Sequence, residues 1–314
     1  MNTIIRPADR QQWLKYREKG IGSSEVGTIL GLNPFETPYT LWLRKKGKIA
    51  PKQENFAMKA GHYLEDAVSR FYSDATGRQI IKRSAGDWLI VDKQRDYLRV
   101  SPDRIFWVDP TGKKNHDNKG ICECKTTQLQ VDADDLPKHW FCQLQYQLGV
   151  AELHVGALAW LTMGREFGYK DIEFDQEFYD WMVSQIEEFW QRYIVGNEEP
   201  AAINAEDVMI KSPKHVPGKT VTADQSLLDE LAELKQLKAS TNTEYKRVKD
   251  MENDLKVAIG DAEALVDTNG RTLCTWKAAK DSIKFDEKGF AAACPDLYKE
   301  WQKPVPGSRR FLVK

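Results

Sequence analysis

The sequence predicts an α/β core followed by a mainly helical C-terminal extension. Between residues 54 and 195, segments with apolar residues at helical spacing alternate with short runs rich in β-branched and aromatic residues. After residue 222 the spacing of the apolar residues becomes predominantly helical. We therefore expect a mixed central sheet flanked by helices, with the extension following it.

The composition bounds the class of protein. The chain has 314 residues, of which 41% are hydrophobic, which allows one sizeable core and a smaller appendage. It contains no run of about 20 apolar residues and no secretory pattern at its start, so we expect no membrane partner and a cytoplasmic location. The five scattered cysteines do not suggest a disulfide framework. The net charge of -1 gives no global attraction to a polyanion.

Caps and apolar spacing predict four helices in the N-terminal part. Ser23 to Glu25 opens a short helix after two glycines, and Thr37 with Pro38 begins another. A longer helix carries Glu65 and is closed by Gly77. The predicted ranges are 9–19, a short helix from 23, 38 to about 47, and about 54–75.

Five short runs then predict an antiparallel meander: QIIKRS, WLIVD, YLRVS, RIFWV and GICECKT. A helix over 137–151, the strands HVGALAWLT and FGYKDIEFD, and an aromatic-rich helix over 176–194 follow. The aromatic residues of this last helix are interpreted as core or subunit-interface residues rather than base-stacking residues.

A proline-bearing loop after residue 196 marks the predicted domain boundary. We place the first domain at 1–205, a linker at 206–222 and a C-terminal region at 223–314. The C-terminal region should contain one long kinked helix or a helical hairpin, interrupted at 239–243, and then a β-hairpin around 268–270. It ends in the basic tail GSRRFLVK, where Arg309 and Arg310 could contact phosphate.

The segment with the clearest chemistry is Ser101-Pro102-Asp103, followed by Glu123-Cys124-Lys125 on another strand. Alternate side chains share a face of a strand, so Glu123 and Lys125 should point together while the thiols pack behind them. Two carboxylates and a backbone carbonyl are hard oxygen ligands suited to Mg²⁺, and Lys125 would position or deprotonate an attacking water. The alternative is a turn aspartate and two solvated charges on an edge strand, but both charges lie within an otherwise apolar strand.

These motifs resemble the PD-(D/E)XK nuclease superfamily, and more narrowly the phage lambda-type exonucleases or YqaJ-like viral recombinases. The resemblance rests on SPD, ECK and the glutamate of GHYLED, with YREKGIGSSEVGTILG and HWFCQLQYQLGV in matching order and spacing. It covers about residues 10–195. It implies a restriction-endonuclease-like core.

The resemblance also implies roles for individual residues. Glu65, Asp103 and Glu123 would bind metal together with the backbone carbonyl of Cys124, with Mg²⁺ as the cofactor and Mn²⁺ able to replace it. Lys125 would be the catalytic lysine, and Gln143 would order the site and its water. Two further residues would capture the 5′-phosphate of the DNA: Arg17 and Ser24. A serine at a helix N-terminus beside an arginine suits an anion, although a plain N-cap serine is the alternative.

The function implied is a 5′-to-3′ double-stranded DNA exonuclease that leaves 3′ single-stranded overhangs for recombination by strand annealing. Such enzymes act on duplex ends as rings of identical subunits, with a trimer favoured here, and work with a single-strand annealing protein. A phage or prophage origin within a bacterial host follows from the resemblance. The alternatives are a PD-(D/E)XK endonuclease or Cas4-like nuclease, and a catalytically inactive DNA-binding scaffold.

Two other groups of residues are assigned structural roles. Cys122, Cys124, His139 and Cys142 do not have zinc or iron–sulfur spacing and are interpreted as packing residues. Two basic clusters are interpreted as solvated charges rather than phosphate contacts, namely Arg44, Lys45, Lys46 and Lys48, and Lys113, Lys114 and Lys119.

Overall fold

The computed structural model describes residues 2–51, 55–81, 88–218, 220–259, 261–269, 271–278 and 285–305. The chain forms two compact units, Met1–Lys211 and Ser212–Lys314. Within the described residues, every helix is too short or too polar to span a bilayer.

The first unit combines helices and strands throughout its length. Its helices are α1 (Arg10–Glu18), α2 (Ser23–Ile29), α3 (Pro38–Lys45), α4 (Phe56–Thr76), α5 (Lys138–Ala151), α6 (Gln176–Phe189), continued by a π-helix over Trp190–Val195, and α7 (Ala205–Lys211). Its strands are β1 (Thr3–Ile5), β2 (Ile21–Gly22), β3 (Ile80–Ile81), β4 (Leu89–Val91), β5 (Leu98–Val100), β6 (Arg104–Trp107), β7 (Lys119–Thr127), β8 (Val155–Thr162) and β9 (Glu166–Glu173).

These strands form two mixed sheets rather than one. The larger sheet has the order β3-β6-β7-β8-β9, with β7 parallel to β8 and the other pairs antiparallel. Helix α5 makes the crossover between β7 and β8, as a parallel pair requires. The smaller sheet has the order β1-β4-β5-β2. The predicted fold class, a mixed α/β core with flanking helices, is confirmed.

The single antiparallel meander predicted over these runs is wrong. Strands β4 and β5 pair with each other in the small sheet, whereas β3 pairs with β6 in the large one. The chain passes between the sheets at residues 101–103. Pro102 has no N–H to donate to a ladder, so β5 cannot continue directly into β6.

Two apolar clusters enclose the large sheet. One is built mainly from α2, α3, α5, α6 and the sheet residues that face them. Its members include Leu144 and Leu148 of α5 and Leu158 of β8. The other packs α4 against the opposite face, where Tyr72 meets Phe106 and the thiols of β7. Helix α4 begins with the side-chain cap of Asn55 and ends at Gly77, whose φ is 70°.

Helix α7 lies where the sequence predicts the start of the linker. Its Asp207 is fully buried and accepts hydrogen bonds from the Thr37 hydroxyl at 2.7 Å and the Ile203 amide at 3.1 Å. Because these contacts attach α7 to the cap of α3, the first unit extends to residue 211.

The second unit contains α8 (Gln225–Ile259), β10 (Ala264–Val266), β11 (Thr272–Thr275), α9 (Glu287–Ala293) and α10 (Pro295–Glu300). Helix α8 runs without interruption through 239–243, so the helical-hairpin alternative is wrong. The hydroxyls of Ser240, Thr241 and Thr243 donate to carbonyls within the preceding turn, which keeps these polar residues compatible with the helix. β10 and β11 pair antiparallel. Arg309 and Arg310 lie outside the described residues.

Candidate active site

The centre of the site is β7, where charged and apolar residues alternate. Glu123 is 2% exposed and Lys125 is partly buried, and both face α5. Cys122 and Cys124 point to the opposite face and pack against α4. The strand period thus places acid and amine together, as predicted, with the thiols behind them.

Asp103 lies immediately before β6, the neighbour of β7. Its Oδ2 accepts a hydrogen bond from the Cys124 amide at 2.9 Å. In this contact Cys124 uses its backbone N–H, whereas the group that the resemblance assigns to the metal is its backbone carbonyl. Register places the start of β6 opposite Cys122, so Asp103 and Glu123 meet at the same point of the sheet.

The Glu123 carboxylate is held by three side-chain donors. Its Oε1 accepts from Lys125 Nζ at 2.8 Å and from the amide of Gln143, and its Oε2 accepts from Gln147 Nε2 at 2.9 Å. Lys125 Nζ also donates to Gln143 Oε1 at 2.8 Å. Because both glutamines project from α5, one helix fixes the orientation of the carboxylate and of the lysine.

Glu65 reaches this region from α4 but is not bonded to the other acids. Its Oε1 pairs with His62 Nδ1 at 2.9 Å, and its Oε2 is 3.8 Å from Arg104 Nη1. The charge of Glu65 is nevertheless one of the influences on the pKa of Asp103. Glu65 is therefore a neighbour of the centre, with its carboxylate turned toward surface groups.

The electrostatic balance of the centre is acidic. Burial, and then the charges of Glu123 and Glu65, raise the pKa of Asp103 well above its usual value. Burial lowers the pKa of Lys125, but the attraction of Glu123 and Asp103 outweighs it and the pKa is raised. Asp103 and Glu123 thus share the single ammonium of Lys125, while Glu65 lies near Arg104, and this leaves room for additional positive charge between the two buried acids.

The donor set suits a hard divalent cation, although its present arrangement does not form a coordination shell. Within the described ranges no three His, Cys, Asp or Glu side chains are grouped to hold a metal ion. The reason is visible in the contacts, because Glu123 Oε1 is occupied by Lys125 and Gln143, and Glu65 by His62. Carboxylate oxygens are the ligands that Mg²⁺ prefers, so the residues fit this ion by chemistry.

The proposed phosphate-binding pair is assembled at the N-terminal end of the molecule. Arg17, in the last turn of α1, donates from Nη2 to the hydroxyl of Ser24 in the first turn of α2. Gly22 lies beneath the guanidinium, because a Cβ there would be 3.1 Å from Arg17 Nε. The absence of a side chain at residue 22 keeps the arginine close to the start of α2.

A buried carboxylate behind this pair was not recognised in the sequence. Glu25 is 4% exposed and accepts from the Gly22 amide at 2.9 Å, from Arg44 at 3.0 Å and from Lys45 at 2.8 Å. Burial alone would raise the pKa of Glu25, but the charges of Lys45, Arg17 and Arg44 lower it to about 2.

The interpretation of the 44–48 cluster as solvated charge is therefore wrong for its first members. The Lys45 side chain is 5% exposed, and Arg44 is shared between Glu25 and Glu36. A buried acid at residue 25 attracts both cations into the interior. The signal available in the sequence was the acid at the N3 position of a short helix.

Gln147 is a second residue that sequence reasoning missed. It lies four residues after Gln143, one helical turn along α5, and therefore on the same face. The cysteines do not gather into a metal site, because Cys142 belongs to the other apolar cluster from Cys122 and Cys124.

Fold and site together define an α/β protein that gathers two acids and a lysine at the central strands of its larger mixed sheet. Comparison with known proteins gives a family match over part of the chain. Residues 12–154 match the YqaJ-like viral recombinase domain, and this segment includes every site residue predicted from the sequence. The resemblance inferred from the motifs is confirmed for this segment.

Individual relatives extend the comparison. The chain is 28% identical over 316 residues to the uncharacterized protein YqaJ of Bacillus subtilis (strain 168), covering 97% of this chain and 94% of that protein. An uncharacterized protein of Acanthamoeba polyphaga mimivirus is 23% identical over 158 residues, covering 46% of this chain and 27% of that protein.

Two solved exonuclease structures also align with part of the chain. The alkaline exonuclease LHK-Exo from Laribacter hongkongensis has a TM-score of 0.44 and 15% identity, covering 59% of this chain and 93% of that chain. A phage-related exonuclease from Haemophilus somnus 129PT has a TM-score of 0.40 and 12% identity, covering 57% and 96% respectively.

Proposed function

We propose that the chain is a divalent-metal-dependent deoxyribonuclease that degrades linear duplex DNA from its 5′ ends and leaves 3′ single-stranded overhangs. The observation that carries this proposal is the centre formed by Asp103, Glu123 and Lys125. Lys125 donates a hydrogen bond to Glu123, and the backbone amide of Cys124, which lies between these two residues, donates to Asp103. The match to a viral recombinase domain supports a role in recombination.

Asp103, Glu123 and Glu65 would hold Mg²⁺, with Mn²⁺ able to replace it. When bound, the metal would neutralise charge on the scissile phosphate and supply an activated water. Glu65 is available for this task if its contacts with His62 and Arg104 are exchanged. The chain's own acids provide the negative charge that binds the ion in a protein whose net charge is only -1.

Lys125 acts by positioning. In the structure its Nζ donates to both Glu123 and Gln143, so the ammonium is aimed by two fixed acceptors. A water that takes the place of one of these acceptors would accept a hydrogen bond from the Lys125 ammonium, and this bond would orient the water toward the phosphate. Gln143 contributes by accepting a hydrogen bond from the lysine and donating one to the acid.

Arg17 and Ser24 supply polarity. A guanidinium and a hydroxyl in direct contact at the start of α2 can both bond a terminal phosphate dianion. Anchoring a 5′-phosphate near the centre would direct cleavage to the 5′-terminated strand. The product would be a 3′ overhang suited to a single-strand annealing protein.

Assembly would explain how the enzyme remains on DNA. The net charge of -1 gives the monomer little general attraction to a duplex. A closed ring of identical subunits, with a trimer favoured, would retain the duplex by enclosure. We place this activity in the cytoplasm of a bacterial host cell carrying a phage or prophage.

The test compares four substrates with the pure full-length protein and Mg²⁺: linear duplex with a 5′-phosphate, linear duplex with a 5′-hydroxyl, closed circular duplex and single-stranded DNA. Lys125→Met is the catalytic variant. Lys170→Met is its control, because Lys170 also lies on a strand of the sheet but bonds Ala133 and Asp134 instead.

We expect rapid digestion of the phosphorylated linear duplex by the wild type and by Lys170→Met, and loss of digestion in Lys125→Met and in the presence of chelator. Nicking of circles would establish an endonuclease instead. Cleavage that persists in chelator would refute the metal dependence, whereas DNA binding without any cleavage would refute the nuclease proposal and favour the inactive scaffold.

A further inference from the structure

A single buried side chain joins the reacting centre to the phosphate-binding end of the site. Gln147 is fully buried in α5. Its Nε2 donates to Glu123 Oε2 at 2.9 Å and to the Ser23 hydroxyl at 3.1 Å. Ser23 is the first residue of α2 and immediately precedes Ser24. One amide group therefore contacts both Glu123 and the segment that carries Ser24, which with Arg17 forms the proposed 5′-phosphate anchor.

The contact with Glu123 completes the orientation of that acid. Lys125 and Gln143 bond Oε1, so they fix one oxygen while the carboxylate could still rotate about it. The bond from Gln147 to Oε2 removes that freedom. A carboxylate held at both oxygens is preorganised, which is what a metal-binding or water-orienting acid requires.

The environment of Gln147 indicates that the amide is not there for packing alone. Its Oε1 is buried and has no hydrogen-bond partner among the described residues. An unsatisfied buried acceptor destabilises the fold, and an apolar side chain of the same length would avoid that penalty. Groups that break this rule are concentrated at functional sites.

We propose that Gln147 is a positioning residue that sets the geometry between the central acid and the 5′-phosphate anchor. Glu123 and Ser23 are both buried and are bridged by the same nitrogen, so a displacement of α2 is transmitted to the acid. Through Gln147, efficient turnover depends on a 5′-phosphate being bound at the anchor. The inference rests on the proposed nuclease function and adds a specificity-determining residue to it.

The test uses Gln147→Met, which keeps length and removes the donor, and Gln145→Met as the matched control. Gln145 is also fully buried in α5, but it bonds the Glu173 carbonyl and the Asp175 amide. Both variants lose a buried amide, whereas only one touches the site. Thermal unfolding of both proteins measures the structural part of the effect.

Turnover and KM are measured on linear duplexes that differ only in the presence of the 5′-phosphate. We expect Gln147→Met to lower kcat by about 10- to 100-fold, as loss of a contact supporting a metal ligand typically does. The preference for the phosphorylated end should shrink as well. Gln145→Met should keep both quantities within about threefold of wild type after both are assayed well below their unfolding temperatures.

Ser23→Ala separates the two halves of the bridge. It should reduce the preference for the phosphorylated end while retaining more of kcat than Gln147→Met, because the bond to Glu123 remains. In the double variant Ser23→Ala/Gln147→Met, the two effects on the preference for the phosphorylated end should not multiply, because both substitutions remove the same hydrogen bond.

Binding gives a readout that does not require cleavage. Duplexes with and without the 5′-phosphate are titrated against each protein in chelator by fluorescence anisotropy. A smaller difference in Kd between the two ends for Gln147→Met than for Gln145→Met supports the inference. A wild type that cleaves and discriminates, with Gln147→Met unchanged in both respects, overturns the inference alone. A wild type that neither cleaves nor binds DNA overturns the proposed function and the inference with it.

Discussion

Removal of the negative charge of Glu25 should have a large effect on the stability of the fold. The carboxylate lies in the interior between α2 and α3 and is bonded by Arg44 and Lys45. Glu25→Gln preserves the shape and an acceptor for the Gly22 amide, but removes the negative charge that holds both cations. The prediction is independent of any activity of the protein.

The magnitude follows from the pKa of Glu25, which falls from 4.5 to about 2 in the folded protein. At about 1.4 kcal/mol for each unit of pKa, the ionised carboxylate contributes about 3.5 kcal/mol. Because the folded pKa is the lower one, this contribution is fully present above pH 4.5 and is lost as the pH falls toward 2. Burial lowers the pKa of Lys45 despite Glu25, so the lysine offsets part of the gain.

The assay is urea unfolding of wild type and Glu25→Gln at pH 7 and pH 3. At pH 7 we expect the variant to be less stable by about 2–3 kcal/mol, and at pH 3 the difference should fall to about half. Glu36→Gln is the control, because Glu36 also bonds Arg44 but its side chain is 14% exposed. Equal destabilisation at both pH values, or a larger effect of Glu36→Gln, would refute the reasoning.

Four further substitutions test other parts of the first unit. Asp103→Asn should abolish metal-dependent cleavage, yet keep or raise the melting temperature by about 2–4 °C in chelator, because it relieves repulsion among the acids; a large loss of stability would contradict this. Gly20→Ala should lower the free energy of unfolding by about 1–3 kcal/mol, since its Cβ would collide with the Tyr97 carbonyl. Gly61→Ala, inside α4, would place a Cβ in ordinary van der Waals contact with the Thr126 hydroxyl at 3.7 Å and should instead stabilise by about 0.5–1 kcal/mol in the same unfolding assay. Asp207→Ala should destabilise by about 1–3 kcal/mol by leaving buried donors unpaired, and unchanged unfolding would show that α7 is not attached through this residue.

The common face of Glu123 and Lys125 in the candidate site could be predicted because strand periodicity is local information. Glu123 and Lys125 are two residues apart on one strand, so a common face follows without knowledge of the rest of the fold. Gln147 was within reach of the same reasoning applied to a helix, since it lies one turn beyond Gln143. The position of Glu25 in the first turn of α2 is a local signal, but its pairing with Arg44 and Lys45 depends on α3 folding over α2, which no local pattern reveals.

The pairing of strands could not be predicted for the opposite reason. The runs around β3, β4, β5 and β6 have similar composition, and nothing local distinguishes a partner in one sheet from a partner in the other. The local clue was Pro102, which cannot continue a ladder of hydrogen bonds. It marks the break between β5 and β6 but does not say which strands pair. The continuity of α8 was also hidden, because Ser, Thr and Asn usually favour helix ends and here bond back into the helix.

Helix α5 collects contacts from residues synthesised more than a hundred positions earlier. The Tyr146 hydroxyl donates to the Ile21 carbonyl at 2.9 Å, and Asn2 donates to the Val150 carbonyl at 2.8 Å. Closing loops of this length costs chain entropy before the contacts can form. The first thirty residues leave the ribosome long before their partner helix exists. An incomplete chain therefore lacks the bridge between Ser23 and Glu123, and a fully formed centre arises only after the whole of α5 has been made.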